Sequence, residues 1–329
     1  MEFLLGLLPV CAFLAALFFL DSYKLIPPRS LLASLGAGCA AAVLAYAVNT
    51  MLMEATGIRF ELFSRYGAPL TEEALKAIVL VRLLLARKTG FLVDTAIHGF
   101  AIGAGFALVE NIAYFLTRAP GTIGLWLVRG FGTAMMHGAV GSIAGIIGIV
   151  LIERSERPGI AAVLPGIAVA MVIHSGFNHF FLTAVTSTRI IVLALPVLMA
   201  VVFWRGERAV RHWTGVGFDT DRELLEMITS GRLGETRIGM FFASIQSGFR
   251  GEVLADMLCM LRLHLELAIA AKGLLLMRQS GFEVPPDPEW KEKLAELKYL
   301  EHSVGRTGML AVAPFLNTSR HQLNELLRG

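Results

Sequence analysis

Apolar runs follow one another through the first 204 residues of this chain, and most are long enough to cross a lipid bilayer. A transmembrane helix needs about 20 mostly apolar residues to pass through the hydrocarbon layer. Loops that carry charged residues separate the runs. The pattern therefore predicts an all-α, polytopic bundle of about seven membrane-spanning helices. The predicted spans cover residues 3–20, 31–53, 70–86, 91–116, 129–152, 160–182 and 190–204.

Charge is distributed unevenly along the 329 residues. Hydrophobic residues make up 55% of the sequence and the mean hydropathy is +0.66, which is far above the values of soluble domains. Residues 1–204 are mostly apolar, whereas residues 205–329 carry dense mixed charge. This contrast predicts a transmembrane domain over 1–204 and a cytoplasmic helical domain over 205–329, with a regulatory role and an unknown regulator as its partner. The small net charge of +3 does not indicate nucleic-acid binding.

Lysine and arginine near the ends of the spans predict the orientation, because cytoplasmic loops are enriched in them. One set of loops is rich in these residues and the other is poor. We therefore expect a multi-pass protein of the cell membrane with its N-terminus outside and its C-terminus in the cytoplasm. No basic region precedes the first run, so we expect a retained helix rather than a secretory signal. The rich set holds Lys24, Arg29, Arg87, Lys88, Arg154, Arg157, Arg205, Arg208 and Arg211, and the poor set holds Arg59, Arg65, Arg118 and Arg189.

The third predicted span opens with two adjacent carboxylates, Glu72 and Glu73, and Lys76 follows them. Ionisable groups are costly inside a bilayer, so each needs a partner or a function. On a helix, Glu72 and Lys76 lie four residues apart and are expected to pair. Glu73 then points about 100° away and has no local cation. For this stretch alone, a helix N-terminal cap is the alternative interpretation.

Three later spans carry polar groups as well. The fourth contains Glu110 and Asn111, the fifth contains His137, and the sixth contains His174 and Asn178. His174 and Asn178 are four residues apart and therefore share one helix face. Counted at 1.5 Å per residue from the outer ends of the spans, Glu110 and the two histidines lie at similar depths of roughly 10–15 Å. We expect these groups to meet in the outer half of the bundle.

These motifs, on four successive predicted helices, resemble the PrsW family of glutamic-type intramembrane proteases. That family is distantly similar to the CAAX-processing and bacteriocin-processing membrane proteases. The resemblance covers about residues 1–204 and says nothing about the tail. Where the wider superfamily often has histidine at the end of its second motif, this chain has Glu110, as the PrsW branch does. The matching motifs are Glu72-Glu73-x-x-Lys76, Phe106-x-x-x-Glu110-Asn111, His137 and His174-x-x-x-Asn178.

The resemblance implies that the chain hydrolyses peptide bonds of membrane-protein substrates, in or beside the lipid bilayer and without a cofactor. Such a reaction needs a water, a base and a group that stabilises the oxyanion. Glu73 or Glu72 is the expected base, His174 and Asn178 are expected to orient the water and stabilise the oxyanion, and His137 is expected to polarise the carbonyl or carry a proton. The expected catalytic residues are Glu72, Glu73, Glu110, His137, His174 and Asn178, with Lys76, which holds Glu72, and Asn111 in support.

Three other functions compete with this one. A zinc-dependent membrane protease would draw its ligands from Glu72, Glu73, Glu110, His137 and His174, with Glu110, His137 and His174 as the expected set, although no His-Glu-x-x-His pattern is present. A proton-coupled transporter would also place glutamate and histidine inside helices, but no related half-repeats are visible. The third is a membrane scaffold that serves the tail.

Overall fold

The computed structural model describes residues 3–86, 89–117, 122–155, 159–282, 284–285 and 287–328. It is 88% helix, and the described residues contain no strand. The prediction of an all-α fold is therefore confirmed. Four residues that the orientation argument uses, Arg87, Lys88, Arg118 and Arg157, lie outside the described residues.

The chain forms two compact units, Met1–Gly206 and Glu207–Gly329. The helices of the first unit are α1 (Leu4–Leu20), α2 (Pro28–Thr56), α3 (Phe60–Leu62), α4 (Ala68–Leu85), α5 (Leu92–Thr117), α6 (Ile123–Leu127), α7 (Met135–Arg154), α8 (Ile160–Asn178) and α9 (Ala184–Thr214), the last of which continues into the second unit.

Five helical segments in the described part of the chain are long and apolar enough to cross a membrane. Two further helices coincide with predicted spans. Of these, α1 has only 17 residues, and α4 carries Glu72, Glu73, Lys76 and Arg82. The count of seven spans therefore stays a prediction. The five segments are Pro28–Thr56, Leu92–Thr117, Ile123–Arg154, Ile160–Asn178 and Ala184–Thr229.

Helix α5 is the centre of the first unit, and glycines let its neighbours approach closely. A Cβ atom at Gly99 would lie 2.3 Å from the Gly141 carbonyl oxygen, and one at Gly103 would lie 2.0 Å from the His137 carbonyl oxygen. Such backbone contact is what small residues four apart on a membrane helix allow. The α5–α7 contact therefore places the backbone of His137 directly against α5.

Two π-helical segments interrupt the helical bundle. Phe63–Gly67 leads into α4, and Val128–Ala134 leads into α7. Short π-helical segments frequently occur at functional sites, because the wider turn changes the direction of the side chains around it. Here each one precedes a helix that carries polar residues of the four motifs.

The second unit contains α10 (Val216–Thr229), α11 (Arg237–Ile245), α12 (Gly251–Gln279), α13 (Pro288–Val312) and α14 (Arg320–Arg328). Its core includes a buried ion pair in which Lys272 Nζ donates to Asp221 Oδ2 at 2.7 Å. His264 is buried on α12, and its Nε2 has no hydrogen-bond partner among the described residues.

Candidate active site

Glu73 is the centre of a buried hydrogen-bond network between α4 and α8. Its Oε1 accepts a hydrogen bond from Lys76 Nζ at 2.6 Å and another from His174 Nδ1 at 2.7 Å. The Glu73 and Lys76 side chains are only 3% and 5% exposed. Because a carboxylate can only accept, the proton of a neutral His174 ring lies on Nδ1, and its Nε2 carries the lone pair.

The pairing of Lys76 with Glu73 corrects the prediction that Lys76 holds Glu72 and that Glu73 has no local cation. Residues three apart on a helix are neighbours just as residues four apart are. Lys76 and Glu73 both face the interior of the bundle, where an unpaired carboxylate is most costly. Glu72 is 16% exposed, so it needs a cation less than Glu73 does.

Glu72 lies beside the lone pair of His174. One oxygen of Glu72, Oε1, accepts a hydrogen bond from Asn49 Nδ2 of α2 at 3.2 Å. The other, Oε2, lies 3.9 Å from His174 Nε2. Thr71 also binds Asn49, so α2 holds the start of α4 at two adjacent residues. Asn49 was not among the predicted site residues, although an asparagine within an apolar run is a visible signal.

His137 connects α4 and α5 to α7. Its Nε2 lies 2.8 Å from Glu110 Oε2, and its Nδ1 lies 3.2 Å from Lys76 Nζ. Since the Glu110 carboxylate accepts and the Lys76 ammonium donates, the proton of a neutral His137 lies on Nε2. The rings of His137 and His174 meet edge to face with their centroids 4.8 Å apart. The structure therefore brings together polar residues from all four motifs.

Arg129 completes the network on the far side of Glu110. Its Nη2 donates to Glu110 Oε1 at 3.0 Å and its Nε donates to Asn111 Oδ1 at 2.8 Å. The Asn111 amide in turn donates to the Gly6 carbonyl oxygen of α1 at 2.7 Å. The sequence predicted Arg129 only as the first residue of the fifth span. Its position was nevertheless a signal for a site residue, because this basic residue follows the apolar residues 123–128 and precedes His137 by two helical turns.

Asn178 does not take the position that the shared helix face suggested. Its Nδ2 donates to the Ser64 carbonyl oxygen at 2.9 Å, and Ser175 Oγ donates to the Arg65 carbonyl oxygen at 2.7 Å. Both acceptors belong to the first π-helical segment. Asn178 therefore fastens the segment that leads into α4, and the prediction that it also acts beside His174 on the water stays a prediction.

A group of residues that can hold a metal ion is present in the network. Glu72, His137 and His174 each offer a ligand atom, and these atoms all lie within 4.8 Å of one another. This set differs from the predicted alternative, which had Glu110 in place of Glu72. Glu110 lies on the other side of His137, where Arg129 pairs with it.

Comparison with known proteins identifies the family. A family model described as "PrsW family intramembrane metalloprotease" matches residues 26–205. Searches of curated proteins and of solved structures gave no match. The matched region contains all four motifs and the whole hydrogen-bond network from Asn49 to Asn178. Since it covers more than half of the sequence, this chain belongs to the PrsW family of intramembrane proteases, which are multi-pass membrane proteins.

Proposed function

We propose that the chain cleaves membrane-protein substrates with a water that Glu72 activates. The observation that carries this proposal is the arrangement of the two adjacent glutamates. Glu73 is neutralised by Lys76 and bound by His174, whereas Glu72 Oε2 faces the lone pair of His174 Nε2 across 3.9 Å. Glu73 therefore positions Lys76 and His174. Glu72 is the carboxylate with an oxygen that can take a proton from water.

The reaction follows from these positions. A water beside Glu72 Oε2 and His174 Nε2 gives its proton to Glu72 as its oxygen attacks the substrate carbonyl. The protonated Glu72 then gives that proton to the leaving amine. The Lys76 ammonium, which already neutralises Glu73, supplies positive charge near the developing oxyanion in a medium of low dielectric constant. His137 holds Lys76 in this position through its Nδ1.

Metal-assisted cleavage is the second candidate, because the ligand set and the family description both favour it. Histidine ligands of metals usually bind a carboxylate through their other nitrogen. Here Glu73 binds His174 Nδ1 and Glu110 binds His137 Nε2, so the surroundings fit. One feature opposes a metal: Lys76 Nζ lies against His137 Nδ1, and it has to turn away before that nitrogen can bind a cation. When bound, a zinc ion would lower the pKa of water and polarise a carbonyl.

The experiment that tests the function compares membrane proteomes of cells that carry the native chain, Glu72→Gln or the control Glu61→Gln. Glu61 is an exposed glutamate on α3. We expect single-span proteins to accumulate in the Glu72→Gln cells only, and the purified native chain to cleave them. Loss of a general base lowers turnover by about 10²–10⁴-fold. Full cleavage by Glu72→Gln would overturn the assignment of the base.

Chelation separates the two mechanisms. With the purified native chain and one such substrate, we expect activity to persist after dialysis against a strong chelator. Activity that disappears and then returns with zinc would establish the metal-assisted mechanism, with Glu72, His137 and His174 as ligands.

We further propose seven spans, with α1 and α4 crossing the cell membrane beside the five apolar segments. The lysine and arginine asymmetry supports an outside N-terminus and a cytoplasmic second unit that regulates cleavage in response to a partner. A reporter fused after Gly329 that is active only outside the cytoplasm would contradict this topology. A chain truncated after Gly206 tests whether the first unit alone carries the hydrolytic activity. It should insert into the membrane and keep that activity. Inactivity of a well-folded truncated chain would contradict the proposal.

A further inference from the structure

We infer that Arg129 is a positioning residue of the active site, which acts through Glu110 on His137 and Lys76. This inference rests on the proposed function. None of the four motifs includes Arg129, yet its contacts make it one end of a continuous chain of hydrogen bonds. The chain runs from Arg129 through Glu110, His137, Lys76 and Glu73 to His174, and every link is 3.2 Å or shorter.

Three different contacts fix the Arg129 side chain. Its Nη2 binds Glu110 and its Nε binds Asn111, while its guanidinium carbon lies 4.0 Å from the centre of the Tyr114 ring. The planar guanidinium group can make all three contacts at once, which an ammonium group cannot. The Arg129 side chain is 12% exposed. The second π-helical segment, which carries Arg129, also packs closely against α1, since a Cβ at Gly130 would lie 2.0 Å from the Leu5 carbonyl oxygen.

The position of the Glu110 side chain depends on this arginine, because the surroundings confine it less than they confine the other two carboxylates. Its side chain is 37% exposed, so without Arg129 it is free to turn away from the network. Arg129 holds Oε1, and this leaves Oε2 directed at His137 Nε2. The buried His137 ring then has one favourable neutral form, with its proton on Nε2 and its lone pair on Nδ1.

The form of His137 decides where Lys76 lies. With the lone pair on Nδ1, His137 accepts a hydrogen bond from Lys76 Nζ at 3.2 Å. If Glu110 turns away, only the Lys76 contact still favours the proton on Nε2, and the form with the proton on Nδ1, which would place two donors opposite each other, gains population. Lys76 then has to move, and Glu73 loses the cation that neutralises it. A change at Arg129 is thus transmitted across three side chains to the pair of glutamates.

The test uses the full chain in detergent micelles with ¹⁵N-labelled histidine. The variants are Arg129→Met and Arg129→Lys, with Arg189→Met as the control at an exposed arginine of α9. Ring ¹⁵N shifts distinguish a protonated Nδ1 from a protonated Nε2, and the His137 signals are identified by their loss in His137→Gln. We expect native and Arg189→Met proteins to show the proton on Nε2. Both Arg129 variants should show a mixture of the two neutral forms of His137, or mainly the form with the proton on Nδ1. Arg129→Lys should show the smaller change, because lysine keeps the positive charge.

Activity is the second readout. Loss of a side chain that holds a reacting group in place without itself reacting typically lowers activity 10–100-fold. We expect a fall in kcat of that size in Arg129→Met with KM little changed, and partial recovery of Arg129→Ala on addition of ethylguanidinium but not of sodium at equal ionic strength. An unchanged His137 spectrum in a folded Arg129 variant would overturn the inference. Failure of the proposed function looks different: the native chain would cleave nothing, while the shift of the His137 proton would still appear.

Discussion

Replacement of Gly103 by alanine should disturb the candidate active site from a position that makes none of its side-chain hydrogen bonds. Gly103 lies on α5 where that helix crosses α7, and a Cβ there would lie 2.0 Å from the His137 carbonyl oxygen and 2.5 Å from its carbonyl carbon. Real Cβ atoms essentially never come within 3.0 Å of such atoms. The two helices therefore have to separate by at least ~1 Å at His137, because a backbone carbonyl cannot rotate out of the way as a side chain can.

Two consequences follow from this separation. Added volume in a close-packed interior typically costs about 1–3 kcal/mol, of which the better helix propensity of alanine returns about 1 kcal/mol. The net loss of stability should therefore be small enough for the protein to fold. The effect on turnover should be larger, because a displacement of about 1 Å at a reacting group can cost on the order of 10²-fold. His137 would move relative to Glu110 and Lys76, its two hydrogen-bond partners.

The assay compares Gly103→Ala with Gly176→Ala. Gly176 lies on α8, two residues from His174, and a Cβ there meets nothing within 4 Å. Both variants gain the same methyl group on a helix that carries a residue of the network, Glu110 on α5 and His174 on α8. We expect native activity for Gly176→Ala and a thermal stability equal to or slightly above that of the native chain, because alanine has the better helix propensity. Gly103→Ala should show a melting temperature a few degrees lower and turnover reduced by about two orders of magnitude. Native turnover in Gly103→Ala would refute the view that the α5–α7 contact positions His137.

Three further predictions concern side chains outside the catalytic network. Lys272→Met should destabilise the helices of the second unit by about 3–5 kcal/mol, because it leaves the Asp221 carboxylate buried without a cation. Adding Asp221→Leu should recover most of this stability. Hydrogen exchange of α10 and α12 measures the loss and the recovery. Burial lowers the pKa of His264 to about 4, so the unfolded chain takes up a proton below pH 6.5 while the folded chain stays neutral. The full free energy of unfolding is therefore present above that pH, and about 2 kcal/mol of it is lost by pH 5. Chemical unfolding at pH 7 and at pH 5 measures this loss, which should be absent in His264→Leu. Asn178→Ala should lower turnover less than tenfold and stability by about 1 kcal/mol, since it removes one hydrogen bond to the Ser64 carbonyl; a loss as large as that of Glu72→Gln would return Asn178 to the reacting groups.

The cost of polar groups in an apolar interior made much of the site predictable from sequence. Glu73, Glu110, His137 and His174 each lie in an apolar run, and none can stay there without a partner. Because partners inside a bundle come mainly from other helices, the expectation that these residues meet needed only their presence and approximate depth. The structure joins all four into one network through hydrogen bonds of 3.2 Å or less.

The choice of partners could not be predicted in the same way. Lys76 is a helical neighbour of both Glu72 and Glu73, and only the packing of α4 decides which of them faces the interior. Asn178 shares a face with His174 but ends on the carbonyl of Ser64, since the π-helical segment before α4 leaves that oxygen available. A π-helical turn has no distinctive residue pattern, so neither this contact nor the placement of Arg129 was visible in the sequence.

The charge balance of the network explains why Glu72 is the residue on which the two mechanisms differ. Three carboxyl groups, those of Glu72, Glu73 and Glu110, share two permanent cations, Lys76 and Arg129. The three carboxyl groups thus have one cation too few, and Glu72 is the one whose hydrogen-bond partner is an amide instead of a cation. A surplus charge is costly in a medium of low dielectric constant, so the site gains stability from a positive partner at that position. In the proposed glutamate mechanism a proton taken from water would meet this need, and a metal ion would meet it permanently, at the cost of displacing Lys76 from His137. Both proposed mechanisms therefore use Glu72, as the base in one and as a metal ligand in the other.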